Sequence, residues 1–434
     1  MAVKGEQFSH KPYVVYGNER PVYIVRISPD KNSVELEWLG NGEFTVRIFD
    51  GDNEVKKQTV CGNFVRIDGL ESEKTYQVTV ENEQGSSIKR LFTTGNYLGK
   101  VITHLHVDDL AYANSGRYVA SPSIVRFKDA LYVSTDVVRG ADQKGKMNLS
   151  FLYRSTDEGK TWQYVTDLVP CFWGKLFVAQ DKLCIIANSG EFESLLVSSS
   201  EDGENWSTPT IIKHCDGASG FWVANTPTPY AYKDNKLYFA LTQCERGRNG
   251  RELIYFTLDL NKEVTDYDAW SVSEPFVVEY EWGGDQTIRY AEEGNIIERD
   301  GELYALYRFA NKRALMVKLN LEENRYEFHK IVDCDFGWCK FYIAKVDDYY
   351  YAMGNTVCYP RSKIILARSK NLEEWETIKT LEDIEGLDPE TNGVQYPSFV
   401  YEDGKFKTVL RIALNGAHTF HDSNAIVFKE YNID

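Results

Sequence analysis

Residues 155–162 read STDEGKTW, and this short stretch indicates the fold class of the chain. It fits the pattern S-x-D-x-G-x-x-W at every defined position, with Ser155, Asp157, Gly159 and Trp162 in the four places. The pattern, an Asp box, predicts a tight hairpin: the glycine takes a positive φ, Ser and Asp hydrogen-bond to nearby amides, and Trp fills the space between neighbouring sheets. All four residues are therefore expected to be structural.

Two further copies of the turn indicate a repeated architecture. The second, at residues 199–206, has Glu201 in the Asp position, and a looser third covers residues 369–375. A pattern of apolar strand, turn and apolar strand begins six times, at residues 122–134, 175–187, 228–241, 294–307, 340–353 and 397–410. Such repetition predicts a six-bladed β-propeller. We expect residues 100–107 to supply the outer strand of the last blade and so close the ring.

Residues 19–95 follow a different pattern. A strand, SVELEW, ends at Trp38, and Leu70 followed six residues later by Tyr76 is typical of a tyrosine corner. On these residues the segment resembles a fibronectin type III sandwich. The sequence therefore predicts an all-β chain of two domains. These are a β-sandwich over residues 1–97, acting as a spacer or docking module, and a six-bladed β-propeller over residues 98–434.

Composition and charge narrow the possible partners. The net charge of −16 opposes binding to nucleic acid or to an anionic membrane, so an anionic ligand needs a local basic pocket. No apolar run is long enough to span a bilayer, and the N-terminus lacks the apolar core of a secretory signal. The chain is therefore expected to be cytosolic, or to have lost its signal. The 28 Tyr and 9 Trp suit surfaces that stack on sugar rings.

The eight cysteines show no metal-binding spacing, and we expect most of them to be buried apolar residues. Cys334 and Cys339 are the only close pair in the sequence, and no role is predicted for them. No cofactor is predicted.

Candidate functional residues lie where the inner strands of a propeller begin, because these ends converge at one mouth of the central channel. The loops that follow the second strands reach the same mouth. Together they present aromatic, basic and acidic side chains: Arg117, Tyr118, Trp173, Lys175, Trp222, Asn225, Glu292, Glu293, Trp338, Lys340, Gln395 and Tyr396, and then Asp136, Arg139, Asp142, Arg246, Arg248, Arg308, Arg361, Arg411, His418, His421 and Asp422.

Over about residues 100–434 these positions resemble the sialidase superfamily. In AEEGNIIERDGELYALYR, Glu293 falls on the family's fourth-blade glutamate and Arg308 on the second arginine of its carboxylate-binding triad. Arg361, shortly before the third turn, falls on the third arginine, and Tyr396 in QYPSFVYEDG on the nucleophilic tyrosine. The family's general acid comes from a loop before the first Asp box. Asp142 is the first candidate for it and Asp136 the second.

The chemistry of an acidic sugar supports a tyrosine nucleophile independently. A carboxylate beside the anomeric carbon repels a carboxylate nucleophile, whereas a neutral phenol with a pKa of about 10 is not repelled but needs a base such as Glu293. Arg308 and Arg361 suit bidentate contacts with the carboxylate of the sugar.

The chain also departs from the family. No arginine aligns with the first of the triad in residues 118–124, so we expect weak cleavage of ordinary α-sialosides unless Arg117, Lys175 or Lys340 takes that role. Trp173 with Lys175 and Trp338 with Lys340 form two similar motifs that the family does not explain. Arg411, His418, His421 and Asp422 near the C-terminus form an H-x-x-H-D motif suited to acid/base chemistry. A metal site is the alternative for these residues, and it is disfavoured because no third convergent ligand is evident.

Three functions follow from these residues. The first is an exo-acting glycoside hydrolase for an acidic or unusual terminal sugar, using Tyr396, Glu293 and Asp142. The second is a lyase on a uronate-containing glycan, with His418, His421 or Tyr396 as the base. The third is a non-catalytic glycan-binding propeller. The expected partner in each is an oligo- or polysaccharide. Fold alone does not separate the three functions.

Overall fold

The computed structural model of the chain describes residues 20–112, 115–138, 148–217, 220–244, 251–279, 282 and 291–433. The described residues form antiparallel β-sheets, with a 3₁₀ turn at Tyr267–Ala269 and no α-helix. None of the helical segments in these ranges is long and apolar enough to cross a membrane.

Two sheets near the N-terminus form the sandwich. The first has the order β1-β2-β5, and the second has the order β4-β3-β6-β7 with β8 also paired to β6. The strands are β1 Tyr23–Pro29, β2 Ser33–Leu39, β3 Glu43–Asp50, β4 Asn53–Cys61, β5 Phe64–Asp68, β6 Thr75–Asn82, β7 Gly85–Ser86 and β8 Arg90–Thr93. Alternating apolar residues pack between the sheets around the fully buried Trp38. Tyr76 is buried, and its hydroxyl accepts a hydrogen bond from the Glu71 amide at 3.0 Å, as in a tyrosine corner.

Six further sheets are the blades of the propeller. The first contains β10 Tyr118–Val119, β11 Ser123–Phe127, β12 Ala130–Val138, β13 Leu149–Ser155 and β14 Gln163–Leu168. The second contains β15 Phe172–Ala179, β16 Lys182–Asn188, β17 Leu195–Ser200 and β18 Thr210–Lys213. The third contains β19 Trp222–Ala224, β20 Tyr230–Lys233, β21 Lys236–Cys244, β22 Glu252–Asp259, β23 Trp270–Val272 and β24 Phe276–Val277.

The remaining three blades continue the same order. The fourth contains β25 Glu292–Arg299, β26 Glu302–Ala310, β27 Arg313–Asn320 and β28 Arg325–Asp333. The fifth contains β29 Phe341–Val346, β30 Tyr349–Asn355, β31 Lys363–Ser369 and β32 Glu376–Asp383. The sixth contains β33 Gly393–Glu402, β34 Lys405–Ala413 and β35 Ala425–Asn432, with β9 Lys100–His104 as its outer strand. Each of the six predicted strand-turn-strand patterns is the inner hairpin of one blade.

The ring is closed by both pairing and packing. β9 pairs antiparallel with β35, from Ala425 opposite His104 to Phe428 opposite Lys100, which confirms the predicted closing strand. Six apolar clusters each join two neighbouring blades, and one of them packs Val409 and Ile426 of the sixth blade against Leu131 and Val133 of the first. The sheets therefore bury their faces against each other around a complete circle.

The turn at residues 155–162 is held by its own side chains. Ser155 Oγ accepts a hydrogen bond from the Gly159 amide at 2.8 Å, and an Asp157 oxygen accepts one from the Thr161 amide at 2.9 Å. Gly159 has a φ of +83°, and Trp162 is 1% exposed with its ring centroid 5.5 Å from that of Phe428 in the sixth blade. The turn thus fixes the contact between the first and last blades.

The second turn differs from its predicted alignment. Ser200 and Asp202, rather than Ser199 and Glu201, make the equivalent contacts: the Gly203 amide donates to Ser200 Oγ at 2.8 Å, and the Glu204 amide donates to Asp202 at 2.8 Å. This turn is one residue shorter than the first, so its carboxylate stands directly before the glycine. The third turn has the same short form, with Leu372 at a φ of +66° in the place of the glycine.

We expect Trp162→Ala to lower the free energy of unfolding by about 3–5 kcal/mol, the usual cost of truncating a buried Trp to Ala. The loss arises because Trp162 is buried at the point where the ring closes. Urea titration measures it. Trp338→Ala is the control, since Trp338 is 40% exposed. Equal losses in the two variants would contradict the role assigned to Trp162.

The sandwich packs against the outer strands of the first and last blades. Ser28 Oγ donates to the Val101 carbonyl at 2.5 Å, and Glu37 accepts a hydrogen bond from the Tyr164 amide at 3.0 Å. Arg90 forms a buried ion pair with Asp109 at 2.6 Å. None of the described sandwich residues lines the channel mouth. The division at residues 97 and 98, and the type III assignment, remain our predictions.

Candidate active site

A cavity of about 210 Å³ lies at the mouth of the channel, where the inner strands begin. The first blade contributes Tyr118, Ala120, Ser121 and Val138, and the second Phe172, Trp173, Glu191 and Phe192. The third contributes Ala224, Asn225, Thr226, Thr242 and Arg251. The fourth contributes Glu292, Glu293 and Arg308, and the sixth Tyr396, Arg411 and His421. The three turns at residues 155–162, 199–206 and 369–375 follow the third strands at the opposite end of the blades, as the register of β12 with β13 shows for the first.

Three inner strands carry the same β-bulge at the mouth. In β15, β25 and β33 two residues face one residue of the next strand, and the first of the two is Trp173, Glu293 or Tyr396. Their φ angles are +52°, +60° and +56°. Such values are uncommon and costly for large residues, and they concentrate at functional sites. The bulges therefore direct an aromatic ring, a carboxylate and a phenol towards the same cavity.

The fourth-blade bulge depends on a glycine in its second place. A Cβ atom on Gly294 would lie 2.5 Å from the ring of Tyr307, so the backbone approaches this ring closely. This packing leaves little freedom to Glu293, which is itself buried.

Cationic side chains surround Tyr396. The guanidinium carbons of Arg361 and Arg411 lie 5.3 and 5.1 Å from the centroid of its ring, and Lys340 Nζ lies 5.8 Å from it. Burial opposes the charge on Arg361, but the neighbouring Tyr396 raises its pKa overall. Negative charge that develops on the phenolic oxygen is stabilised by this arrangement.

Glu293 and Arg308 form an ion pair, with Arg308 Nη1 3.1 Å from a Glu293 oxygen. Arg308 also contacts Glu292, and the other Glu292 oxygen contacts Arg251. Burial lowers the pKa of Arg308, but Glu293 and Tyr396 raise it overall. The two adjacent glutamates and two arginines form one network across the third and fourth blades.

Arg411 lies between the last blade and the first. It is 3% exposed, and its guanidinium carbon is 5.7 Å from the ring centroid of Tyr118. One terminal nitrogen donates to the His421 carbonyl, while Nε has no hydrogen-bond partner among the described residues. Burial, together with the charge of Arg361, lowers the pKa of Arg411.

His421 lines the cavity, whereas His418 does not. Each histidine has its Nδ1 3.0 Å from a different oxygen of Asp422. The hydrogen bond to Asp422 raises the pKa of His421, but burial and the nearby Arg411 and Arg361 lower it overall. His421 therefore suits a neutral base at neutral pH. Within the described ranges no group of three or more metal-ligating side chains occurs.

The predicted aromatic residues divide into two groups. Trp173 lines the cavity together with Phe192, and Trp222 packs behind them with its ring 4.7 Å from that of Phe192. Trp338 does not line the cavity, contrary to its predicted match with Trp173. The inner strand of the fifth blade begins only at Phe341, so Trp338 lies in the preceding turn.

Lys175 and Lys340 lie beneath the cavity rather than in it. Each is 1% exposed, and Lys340 Nζ donates to the Pro397 carbonyl at 2.8 Å. Burial lowers the pKa of Lys340 to about 7, although Glu293 opposes this effect. Both lysines are therefore better placed to shape the channel electrostatically than to contact a sugar.

We expect Lys175→Met to stabilise the fold more at acidic than at alkaline pH. Lys175 Nζ has no hydrogen-bond partner among the described residues, and burial, aided by Lys340, lowers its pKa to about 7. Below pH 7 both folded and unfolded states hold the proton, so the fold carries the full cost of the buried charge. As the pH rises towards about 10, only the unfolded state keeps the proton. The free energy of unfolding of the wild-type protein therefore rises by up to about 1.4 kcal/mol per pH unit.

Urea titrations at about pH 6 and about pH 9 measure this difference. The advantage of the variant over wild type should be largest at the lower pH and shrink at the higher one. Exposed Lys31 supplies the control variant, Lys31→Met, which removes a lysine that is not buried. A pH-independent effect of Lys175→Met would show that burial does not lower the pKa of Lys175.

The acid candidates have different outcomes. Asp142 lies outside the described residues, as do Arg139, Arg246 and Arg248. Asp136 is buried and does not line the cavity; it accepts hydrogen bonds from Ser150 Oγ at 2.5 Å and the Gly174 amide at 3.3 Å. Burial raises its pKa to about 7. Asp136 thus supports the bulge of the second blade.

Sequence reasoning missed Arg251, Glu191 and Phe192. The last two lie in the loop between β16 and β17, which follows a second strand as the other mouth loops do. The same rule applied to this loop would have found them. Arg251 directly precedes β22, and a single arginine at a strand start gives no specific sequence signal.

No protein-family model and no curated protein sequence matches the chain. Several solved structures do. Trypanosoma rangeli sialidase in complex with sialic acid is similar with a TM-score of 0.54 and 13% identity, over 76% of this chain and 57% of that one. The NanB sialidase of Streptococcus pneumoniae has a TM-score of 0.54 and 10% identity, over 98% of this chain and 94% of that one. Penicillium chrysogenum α-L-arabinanase complexed with arabinobiose has a TM-score of 0.50 and 13% identity, over 76% and 97%.

These similarities concern the fold. The chain spans less than two thirds of the length of the Trypanosoma rangeli sialidase. It has a sialidase-like β-propeller preceded by a β-sandwich, which confirms the fold class predicted from the sequence. The fold occurs here in glycoside hydrolases named for two different substrates, a sialidase and an arabinanase. The fold therefore does not identify the substrate, which depends on the residues of the cavity.

Proposed function

We propose that this protein is an exo-acting glycoside hydrolase that removes an acidic or unusual terminal sugar. The observation that carries the proposal is the placement of Tyr396 and Glu293 at positive φ on two equivalent bulges that open into one cavity. A phenol and a carboxylate held in this way suit a nucleophile and its base. A small cavity at one end of the channel suits the end of a glycan chain.

The proposed reaction proceeds by two displacements. The Tyr396 oxygen attacks the anomeric carbon while Glu293 accepts the phenolic proton, and Asp142 protonates the departing glycosidic oxygen. Asp142 then deprotonates a water molecule, whose oxygen attacks the anomeric carbon and breaks its bond to the Tyr396 oxygen. This step releases the sugar, and Glu293 returns the proton to Tyr396. Two displacements at one carbon retain the anomeric configuration.

An acidic substrate is supported by two arginines near Tyr396 that form no ion pair with a carboxylate among the described residues. Arg308 already contacts Glu292 and Glu293, whereas Arg361 and Arg411 both face Tyr396 from the sixth-blade side. Arg411 also reaches the first blade at Tyr118, where the aligned family arginine is missing. We infer that Arg411, which lines the cavity, holds the carboxylate of the sugar, and that Arg361 beside Tyr396 adds positive charge to the site.

Arg411→Gln is expected to weaken binding of an acidic sugar roughly tenfold or more, the value of one charge-assisted hydrogen bond. Calorimetric titration with sialic acid and with glucuronic acid measures the change, and exposed His418→Gln provides the control. Unchanged affinity would remove Arg411 from the carboxylate site. Robust cleavage of an aryl sialoside that disappears in Arg411→Gln would show that Arg411 replaces the missing arginine and would overturn our expectation of weak sialidase activity.

A lyase on uronate-containing glycans is the second candidate, favoured by His421 in the cavity with a lowered pKa. In that reaction a base removes the C5 proton and the C4–O bond breaks without addition of water. The product is an unsaturated uronate that absorbs in the near ultraviolet, whereas hydrolysis produces no such chromophore.

Incubation with sialylated, uronate-capped and neutral glycans tests the proposal. Release of reducing sugar without an ultraviolet signal supports the hydrolase. A rising absorbance that His421→Ala abolishes would replace it with the lyase. Binding without any product would favour the third possibility, a glycan-binding propeller.

A further inference from the structure

Two cysteines of the fifth blade meet beside the candidate active site, although 18 residues separate them in the sequence. Cys339 lies just before β29 and Cys358 follows β30, and the pairing of Phe341 with Gly354 brings the two chain segments together. Cys339 Sγ donates at 3.3 Å to the carbonyl oxygen of Val357, the residue directly before Cys358, so the two cysteines are neighbours in space. Cys339 is 1% exposed, whereas Cys358 is partly exposed.

The surroundings of the two sulfur atoms differ. An Arg361 terminal nitrogen lies 3.6 Å from Cys358 Sγ, and Arg361 Nε donates to the Cys358 carbonyl at 3.3 Å. The neighbouring Cys339 thiol lowers the pKa of Cys358, and Arg361 adds to this effect against the opposing effect of burial. The neighbouring Cys358 and burial raise the pKa of Cys339. Arg361 thus favours a thiolate on the accessible sulfur, whereas the buried sulfur uses its proton to donate to the Val357 carbonyl.

We propose that Cys339 and Cys358 form a redox-active dithiol whose substrate is a low-molecular-weight disulfide, such as oxidised glutathione. The Cys358 thiolate attacks one sulfur of that disulfide, which breaks its S–S bond and releases one small thiolate. Cys339 then loses its proton and attacks Cys358 Sγ, which releases the second small thiol. The protein dithiol is oxidised to a Cys339–Cys358 disulfide, and one small disulfide is reduced to two thiols.

The remaining cysteines lack this combination. Cys334 is the nearest cysteine to Cys339 in the sequence, but it is buried, and burial raises its pKa. Cys61 is exposed but lies on β4 of the sandwich, far along the chain from any other cysteine. Cys334 and Cys61 therefore provide a matched buried control and a matched accessible control.

Oxidation of the pair would act on the candidate active site. The disulfide removes the negative sulfur that Arg361 contacts, and Arg361 also lies against Tyr396. The dithiol proposal does not depend on the proposed hydrolase, because its chemistry is complete without a sugar.

The test treats the full-length protein with oxidised glutathione and maps its peptides by mass spectrometry without reduction. The expected result is a peptide linking Cys339 to Cys358, a loss of two free thiols, and recovery of both with dithiothreitol. Cys339→Ser should stop at a glutathione adduct on Cys358, Cys358→Ser should form neither product, and Cys334→Ser should behave as wild type. An adduct mainly on Cys61, or a Cys339→Ser protein with the same products as wild type, would overturn the proposal.

A second measurement needs no variant. Iodoacetamide at about pH 6 should alkylate Cys358 roughly tenfold or more faster than Cys61, because only a thiol of lowered pKa is substantially ionised there. Equal rates at the two cysteines would also refute the assignment of Cys358 as the attacking thiolate.

Discussion

Tyr396→Phe is expected to lower turnover by roughly two or more orders of magnitude while folding and ligand affinity remain nearly unchanged. The substitution removes only the phenolic oxygen. The ring that packs against Arg361 and Arg411 stays, and these contacts hold the bulge in place. A residue that contributes only packing or stacking would tolerate this change, whereas a nucleophile cannot.

The matched control for Tyr396→Phe is Tyr118→Phe, which removes a hydroxyl from the same cavity and also lies over Arg411. Turnover and KM are measured on whichever glycan releases sugar in the screen, together with thermal unfolding of each variant. The control should keep turnover within a few-fold of wild type. Full activity in Tyr396→Phe would exclude the tyrosine mechanism, and an equal loss in both variants would point to polarity of the cavity instead of a nucleophile.

The repeating parts of the fold were predictable from the sequence because they depend on local rules. Alternating apolar residues on either side of a D/N/G turn predicted all six inner hairpins, and the short last unit predicted that β9 would complete it. The alignment of the second turn was wrong because two adjacent serines, Ser199 and Ser200, both satisfy the pattern. Only the hydrogen bonds distinguish them.

The bulges were not predictable in the same way. An extra residue in one strand is visible only when the register of its partner is known, so the sequence showed Trp173, Glu293 and Tyr396 as equivalent strand starts without showing their left-handed backbone. The predicted match of Trp173 with Trp338 was wrong because the sequence did not show that the inner strand of the fifth blade begins only at Phe341. The contact between Cys339 and Cys358 was likewise hidden, since it arises from the pairing of β29 with β30 and not from sequence spacing.

Glu293→Gln is expected to reduce turnover about as much as Tyr396→Phe, because an amide of the same size cannot accept the phenolic proton. Glu292→Gln is the matched control. Glu292 contacts Arg251 and Arg308 in the same network, so its loss should raise KM more than it lowers turnover. If Glu292→Gln abolished turnover and Glu293→Gln did not, the base would be Glu292.

The double variant Tyr396→Phe with Glu293→Gln shows whether the two residues act as one unit. If Glu293 acts only by accepting the proton of Tyr396, its substitution has no further effect once the phenol is gone, and the double variant should be about as slow as either single one. Independent contributions would instead multiply to roughly four orders of magnitude. A multiplicative loss would mean that Glu293 contacts the substrate directly. Glu293 would then have to reach the substrate while it remains paired with Arg308. The non-additive result is expected because both side chains occupy equivalent bulges that present them to the same cavity.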